Sequence, residues 1–111
     1  MSNIAILRQA IIGLREAVPQ ISSQLRAAEH DADLFLSSTA KLLSIVVESR
    51  MTTNLSAAVG QDVIDNISHA LSSAADSRRS LVEAHNRLAA IGEKFGLDIS
   101  AYGGGEGKEN P

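Results

Sequence analysis

The apolar positions of this chain fall three and four residues apart almost from its start. Ile4, Leu7, Ile11, Leu14, Val18, Ile21, Leu25, Ala28, Ala32, Phe35, Thr39, Leu42 and Val46 fill the a and d positions of successive heptads without a slip. A seam of that length is the pattern of helices packed side by side at a shallow angle. Leu36, Leu43 and Val47 widen the stripe beyond a two-stranded seam, as the helices of a bundle require. Pro19 lies inside the run, where it removes one backbone donor and crowds the preceding turn. The heptad phase nevertheless continues from Val18 through Ile21 to Leu25. The pattern therefore predicts a first helix over about residues 3–49, continuous but kinked near Pro19.

Between Ser49 and Gln61 the periodicity lapses. Met51-Thr52-Thr53-Asn54 is polar and rich in β-branched threonine, and Gly60 is a breaker. Residues 50–61 read as the connection, with room for one short turn between Leu55 and Val59. A second periodic run, over about 62–95, opens with Asp62 and Asp65, where negative charge suits the helix dipole. Its seam is Ile64, Ile67, Leu71, Ala74, Arg78, Leu81, His85, Leu88, Gly92 and Phe95, broadened by Val63, Val82 and Ile91. Lys94 followed by Gly96 predicts a basic last turn and a left-handed cap, with Leu97 folding back on the helix. Residues 98–111 read as a flexible, glycine-rich tail.

The expected fold is thus all-α: a long antiparallel, coiled-coil-like helical hairpin over residues 1–97. At 1.5 Å per residue its arms reach roughly 70 and 52 Å. Pairing about the connection sets Phe95 opposite Leu14 to Val18. The segment from Ile4 to Leu14 then overhangs with its apolar face bare. Either it folds back at Pro19 as a third helix or a second chain covers it. Two helices alone bury little surface per residue. Self-association or a helical partner is expected, completing a four-helix bundle by homo- or heterodimerisation.

Composition narrows the possible chemistry. A length of 111 residues suits one domain, and 44% hydrophobic with 21% charged residues is too apolar for wholesale disorder. The net charge of −3 gives no bulk attraction to nucleic acid. Aromatics are 3% with no tryptophan, so stacking platforms are poorly supplied, and the absence of cysteine excludes disulfides, thiolate metal sites and cysteine nucleophiles. The opening Met1 to Leu7 runs straight into Arg8 and does not have the form of a Sec-type leader. Apolar runs such as Ile45-Val46-Val47 are far short of the roughly 20 residues that cross a bilayer. The expected location is cytoplasmic, or extracellular by a route that reads no N-terminal leader.

Candidate chemistry is sparse. Glu29, His30, Asp31 and Asp33 form the densest group of potential metal ligands, but di-metal bundles need inward carboxylates and Glu-x-x-His motifs from several helices. Here the inward positions are Ala28, Ala32 and Phe35, so the group reads as a solvated acidic face. Arg78 and His85 fall on the second seam, where a polar group can set register and partner choice. Gly92-x-x-x-Gly96 encloses Glu93 and Lys94 and reads as helix termination. No phosphate-binding loop, dinucleotide fingerprint, zinc-protease motif or nucleophile elbow occurs. No catalytic residue, cofactor or metal is assigned, and the chain reads as a non-enzymatic helical interaction module. A coiled-coil regulatory adaptor or antitoxin-like inhibitor is the alternative, and a metal-binding helical bundle stands behind both.

One combination goes further. A leaderless, cysteine-free helical hairpin of about a hundred residues is followed by Tyr102-x-x-x-Glu106, just past the second helix. This resembles the small helical-hairpin substrates of type VII secretion, the W-x-G or early-secreted-antigen-like family of Gram-positive bacteria. The resemblance implies hairpins that pair into four-helix dimers and a Tyr-x-x-x-Asp/Glu element forming part of an export signal. By that resemblance Tyr102 and Glu106 would be the signal residues, captured by a secretion ATPase. The family's turn carries Trp-x-Gly, whereas Ala58-Val59-Gly60 supplies only the glycine. A divergent member or an accessory partner of such a system would fit that difference.

Overall fold

The computed structural model describes residues 2–53, 56 and 58–97. Two helices account for nearly all of them, α1 over Asn3–Thr52 and α2 over Gln61–Lys94, and no strand occurs among the described residues. The fold is an all-α helical hairpin.

Local chemistry explains each helix end. Ser2 caps α1: its Oγ accepts from the Ala5 N–H at 3.1 Å, and its carbonyl accepts from Ile6 N–H at 3.1 Å. At the other end α1 runs through Thr52, past the boundary expected at residue 49. The polar, β-branched residues that read as loop are absorbed because they satisfy a terminal carbonyl. Thr52 and Thr53 hydroxyls donate to the Ser49 carbonyl at 3.1 and 2.8 Å, and the Thr53 N–H reaches the same oxygen at 3.1 Å. Gly60, at φ 81°, turns the chain into α2, whose Ile64 N–H donates to the Gly60 carbonyl at 3.0 Å. At the end of α2, Leu97 N–H reaches the Gly92 carbonyl at 2.7 Å and Gly96 N–H the Glu93 carbonyl at 3.3 Å. With Gly96 at φ 70°, this pair of bonds is a Schellman cap, and Leu97 folds back as the sequence pattern implies.

Pro19 sits inside α1, and residues 3–18 belong to the same helix as residues 20–52. A third helix folded back at Pro19 therefore does not form. Proline cannot donate to the Arg15 carbonyl, so one rung of the ladder is missing. Its neighbour Val18 is almost completely buried, and that burial offsets part of the loss.

The described residues divide into two compact units, each pairing a stretch of α1 with a stretch of α2. In the first, residues 2–28 with 81–97, the buried residues are Val18, Ser22 and Gly92, and Leu25, Leu81, Leu88 and Phe95 are half-buried. In the second, residues 29–80, Thr39 and Ala74 are buried among half-buried Ala32, Leu36, Leu43, Val46, Ile64, Ile67 and Leu71. The buried Thr39 hydroxyl is satisfied inside its own helix, donating to the Phe35 carbonyl at 2.7 Å.

The packed face of α1 follows the heptad reading at the d positions Leu14 and Ala28, which are half-buried, and departs from it elsewhere. The a positions Ile11, Val18, Leu25, Ala32, Thr39 and Val46 lie on the packed face. Ser22, Leu36 and Leu43 also lie on that face, each one residue beyond a d position that is exposed. Ile21, Phe35 and Leu42, expected in the seam, are exposed. The apolar arc of α1 is wider than a single helix can cover, and α2 lies over the a and e side of it.

Candidate functional site

Shifting the packed face by one residue leaves the other part of the α1 arc in solvent. In the unit of residues 29–80, Leu34 and Phe35 are each 56% exposed, Leu42 49% and Ile45 59%. At about 100° per residue these four side chains project from one side of α1, with the small Ser38 between them. In the unit of residues 2–28 and 81–97, Ile4, Ile6, Leu7, Ile12 and Ile21 are exposed. Residues 2–10 are exposed except for half-buried Ala5. The expected interaction seam thus separates into two sets. Ile11, Leu14 and Leu25, with Ile64, Ile67, Leu71, Leu81, Leu88 and Phe95, pack at least partly within their own units. Ile4, Leu7, Phe35 and Leu42 do not.

Large side chains exposed one at a time are ordinary, whereas a contiguous apolar patch usually marks a binding surface. Half-exposure of four large residues amounts to roughly 400 Å² in the Leu34 to Ile45 patch, comparable to the largest patch on a typical monomer. A second feature lies at the turn, where Val46 and Arg50 of α1 face Val59, Val63 and Ile64 across an open groove of about 280 Å³. Arg50 crosses the turn there, donating from Nη1 to Gln61 Oε1 at 3.5 Å.

The polar residues singled out in the sequence take different places. Arg78 does not enter the seam. Its side chain is about half exposed and its Nε donates to Asp33 Oδ1 of α1. The guanidinium lies at the rim, where water remains, because α2 can pair its charge across to Asp33 without desolvating it. Any influence on register is exerted from that rim. His85 is half-buried. Arg79 with Asp76, at 2.7 Å, and Arg87 with Glu83, at 3.1 Å, are exposed pairs along α2. Asp33 of the acidic run is held by Arg78, and among the described residues no group of three or more histidines, aspartates and glutamates is placed to hold a metal ion. Among the described residues no helix is long and apolar enough to cross a membrane. Tyr102 and Glu106 lie outside the described residues.

What the arrangement can do chemically is bury apolar surface against another surface. The row Ser22, Leu36 and Leu43 was hidden from a heptad reading because Leu36 and Leu43 appear there only as widening residues and a serine gives no apolar signal. The adjacent pairs Phe35-Leu36 and Leu42-Leu43 were the signal that α1 has two apolar sides. No protein-family model, no curated protein and no solved structure matches this chain.

Proposed function

We propose that this protein is a helical interaction module that acts by laying the uncovered side of α1 against another helical surface. The observation that supports this reading is the exposed row Leu34, Phe35, Leu42 and Ile45, apolar side chains on one side of a helix already packed on its other side. About half of each of these large side chains stands in solvent, and a row of them marks a surface suited to binding. The test is a photo-activated benzophenone side chain at position 35 in the native host, with Ser72 on the exposed side of α2 as control. A discrete cross-linked protein at position 35, absent at position 72, is the expected result. Equal labelling of both positions, or of neither, overturns the reading.

The finer version is a substrate or partner of type VII secretion, with Tyr102 and Glu106 in its export signal. It is supported by the two-helix hairpin and by the uncovered face, which such hairpins cover on pairing into four-helix dimers. Removing residues 102–111 should abolish appearance of the protein outside the cell while leaving its helical content unchanged. Export that survives the deletion removes this version and leaves the interaction module intact.

A further inference from the structure

We propose that the start of α1 docks on an anionic lipid surface, with Ile4, Ile6 and Leu7 in the headgroup boundary and Arg8 and Arg15 on the phosphates. This contact is separate from the Leu34 to Ile45 row and does not depend on what that row meets.

One helical turn sets the shape. Ile4, Ala5, Ile6 and Leu7 follow one another, so at about 100° per residue they point to all sides of α1. Ile4 is 64% exposed, Ile6 53% and Leu7 54%, and only Ala5 is half-buried. A helix apolar along one stripe fits a groove or a second helix, whereas one apolar all round fits an apolar medium. A protein lying along the Ile4 and Leu7 side would leave Ile6 in water, but a lipid boundary closes around the whole turn. The turn rises about 5.4 Å, within the depth of about 5–10 Å to which interfacial helices sink. Among the described residues no helix is long and apolar enough to cross a membrane, so the contact proposed is with the surface.

Charge selects the lipid. The sequence carries a net charge of −3, yet between residues 2 and 15 the only charged side chains are Arg8 and Arg15, and the first acid is Glu16. Both arginines are exposed, and among the described residues neither forms an ion pair. Seven residues apart, they stand on the same side of α1, one just past the apolar turn and the other about 10 Å further along. Their aliphatic stems can lie along apolar surface while the guanidinium groups reach phosphate oxygens, which they bind two at a time. An anionic leaflet therefore attracts this basic start and repels the acidic remainder, which fixes the end of the chain that makes contact.

Vesicle flotation of the full chain is the test, with circular dichroism checking that every variant keeps its helices. The chain should float with vesicles of phosphatidylcholine and phosphatidylglycerol in equal parts, stay behind with phosphatidylcholine alone, and detach as salt rises. Leu7→Ser should weaken binding about tenfold. Arg8→Gln and Arg15→Gln together should weaken it about twentyfold, at about fivefold for each arginine near an anionic surface. Met51→Ser, which removes a 70% exposed apolar side chain from the other compact unit, should leave binding unchanged. The chain has no tryptophan, so Ile4→Trp supplies a single reporter. Its emission should shift to the blue on the anionic vesicles, and that of Met51→Trp should not. Failure to float with anionic vesicles, equal flotation with both kinds, or equal shifts from the two tryptophans overturns the inference. A photo-activated side chain at position 7 that captures a protein and no lipid in the native host also overturns it. None of these results bears on position 35, whose cross-link tests the interaction module separately.

Discussion

Ser22 is 3% exposed, and its hydroxyl has no hydrogen-bond partner. A buried hydroxyl stripped of water and given nothing in return costs about 1–3 kcal/mol. Ser22→Ala removes that cost and adds about 0.5 kcal/mol of helix propensity. Against this stands the loss of one oxygen's van der Waals contacts, a few tenths of a kcal/mol, in a void too small for water. The net expectation is about 1–3 kcal/mol of added stability, or roughly 5–15 °C in melting temperature for a chain of this size. Thr39 is the built-in control. It is also buried, but its hydroxyl is bonded to the Phe35 carbonyl at 2.7 Å. Thr39→Ala should therefore destabilise, by about 1 kcal/mol, through a lost methyl and the space it leaves. Thermal melts followed by circular dichroism at one fixed protein concentration make the comparison, since association would otherwise shift the midpoint. A fall in melting temperature for Ser22→Ala, or shifts of the same sign for both variants, would refute the reasoning.

The two glycine substitutions should act in opposite directions. Gly96→Ala forces alanine into φ 70°, and although open space surrounds the site it should cost about 1 kcal/mol, whereas Gly13→Ala, mid-helix with nothing within 4 Å of the new Cβ, should gain about as much. Chemical denaturation checks both, and stabilisation by Gly96→Ala contradicts the left-handed cap. The half-exposed Arg78 and Asp33 pair should show a coupling of about 0.5 kcal/mol in a double-mutant cycle of Arg78→Gln and Asp33→Asn, shrinking in high salt. A coupling above about 2 kcal/mol, insensitive to salt, would place the pair in a dry environment instead.

The contrast between the two helices shows how far the amino-acid pattern reaches. In α2 the packed stripe is narrower than in α1: nine of the ten seam positions read from the sequence are buried or half-buried, Arg78 being the exception, while Val63 and Ile91, expected to broaden the seam, are exposed. A narrow stripe has only one way to face a partner. In α1 the apolar arc is wide, with Phe35 beside Leu36 and Leu42 beside Leu43, so the same spacing admits two adjacent packed faces. Which of them α2 takes depends on the fit of both helices, and that choice buries Ser22 while leaving Ile21 in solvent. The extension of α1 through Thr52 was hidden for a different reason. Threonine has modest helix propensity, but here the Thr52 and Thr53 hydroxyls add bonds to the Ser49 carbonyl of the last turn, which also accepts from the Thr53 N–H. The uncovered start of α1 was legible in part: Ile4, Ile6 and Leu7 are bare, as the shorter α2 implies, but the overhang expected to reach Leu14 ends earlier, since Ile11 and Leu14 are half-buried.

Hydroxyl-radical footprinting of Phe35 and Leu42 inside the native host, set against the purified chain at high dilution, measures whether the outward side of α1 is covered where the protein works. The account predicts strong protection of both side chains in the cell and full reactivity in the dilute chain. Equal reactivity in the two settings would mean that this apolar surface stays wet, and the interaction reading would be wrong.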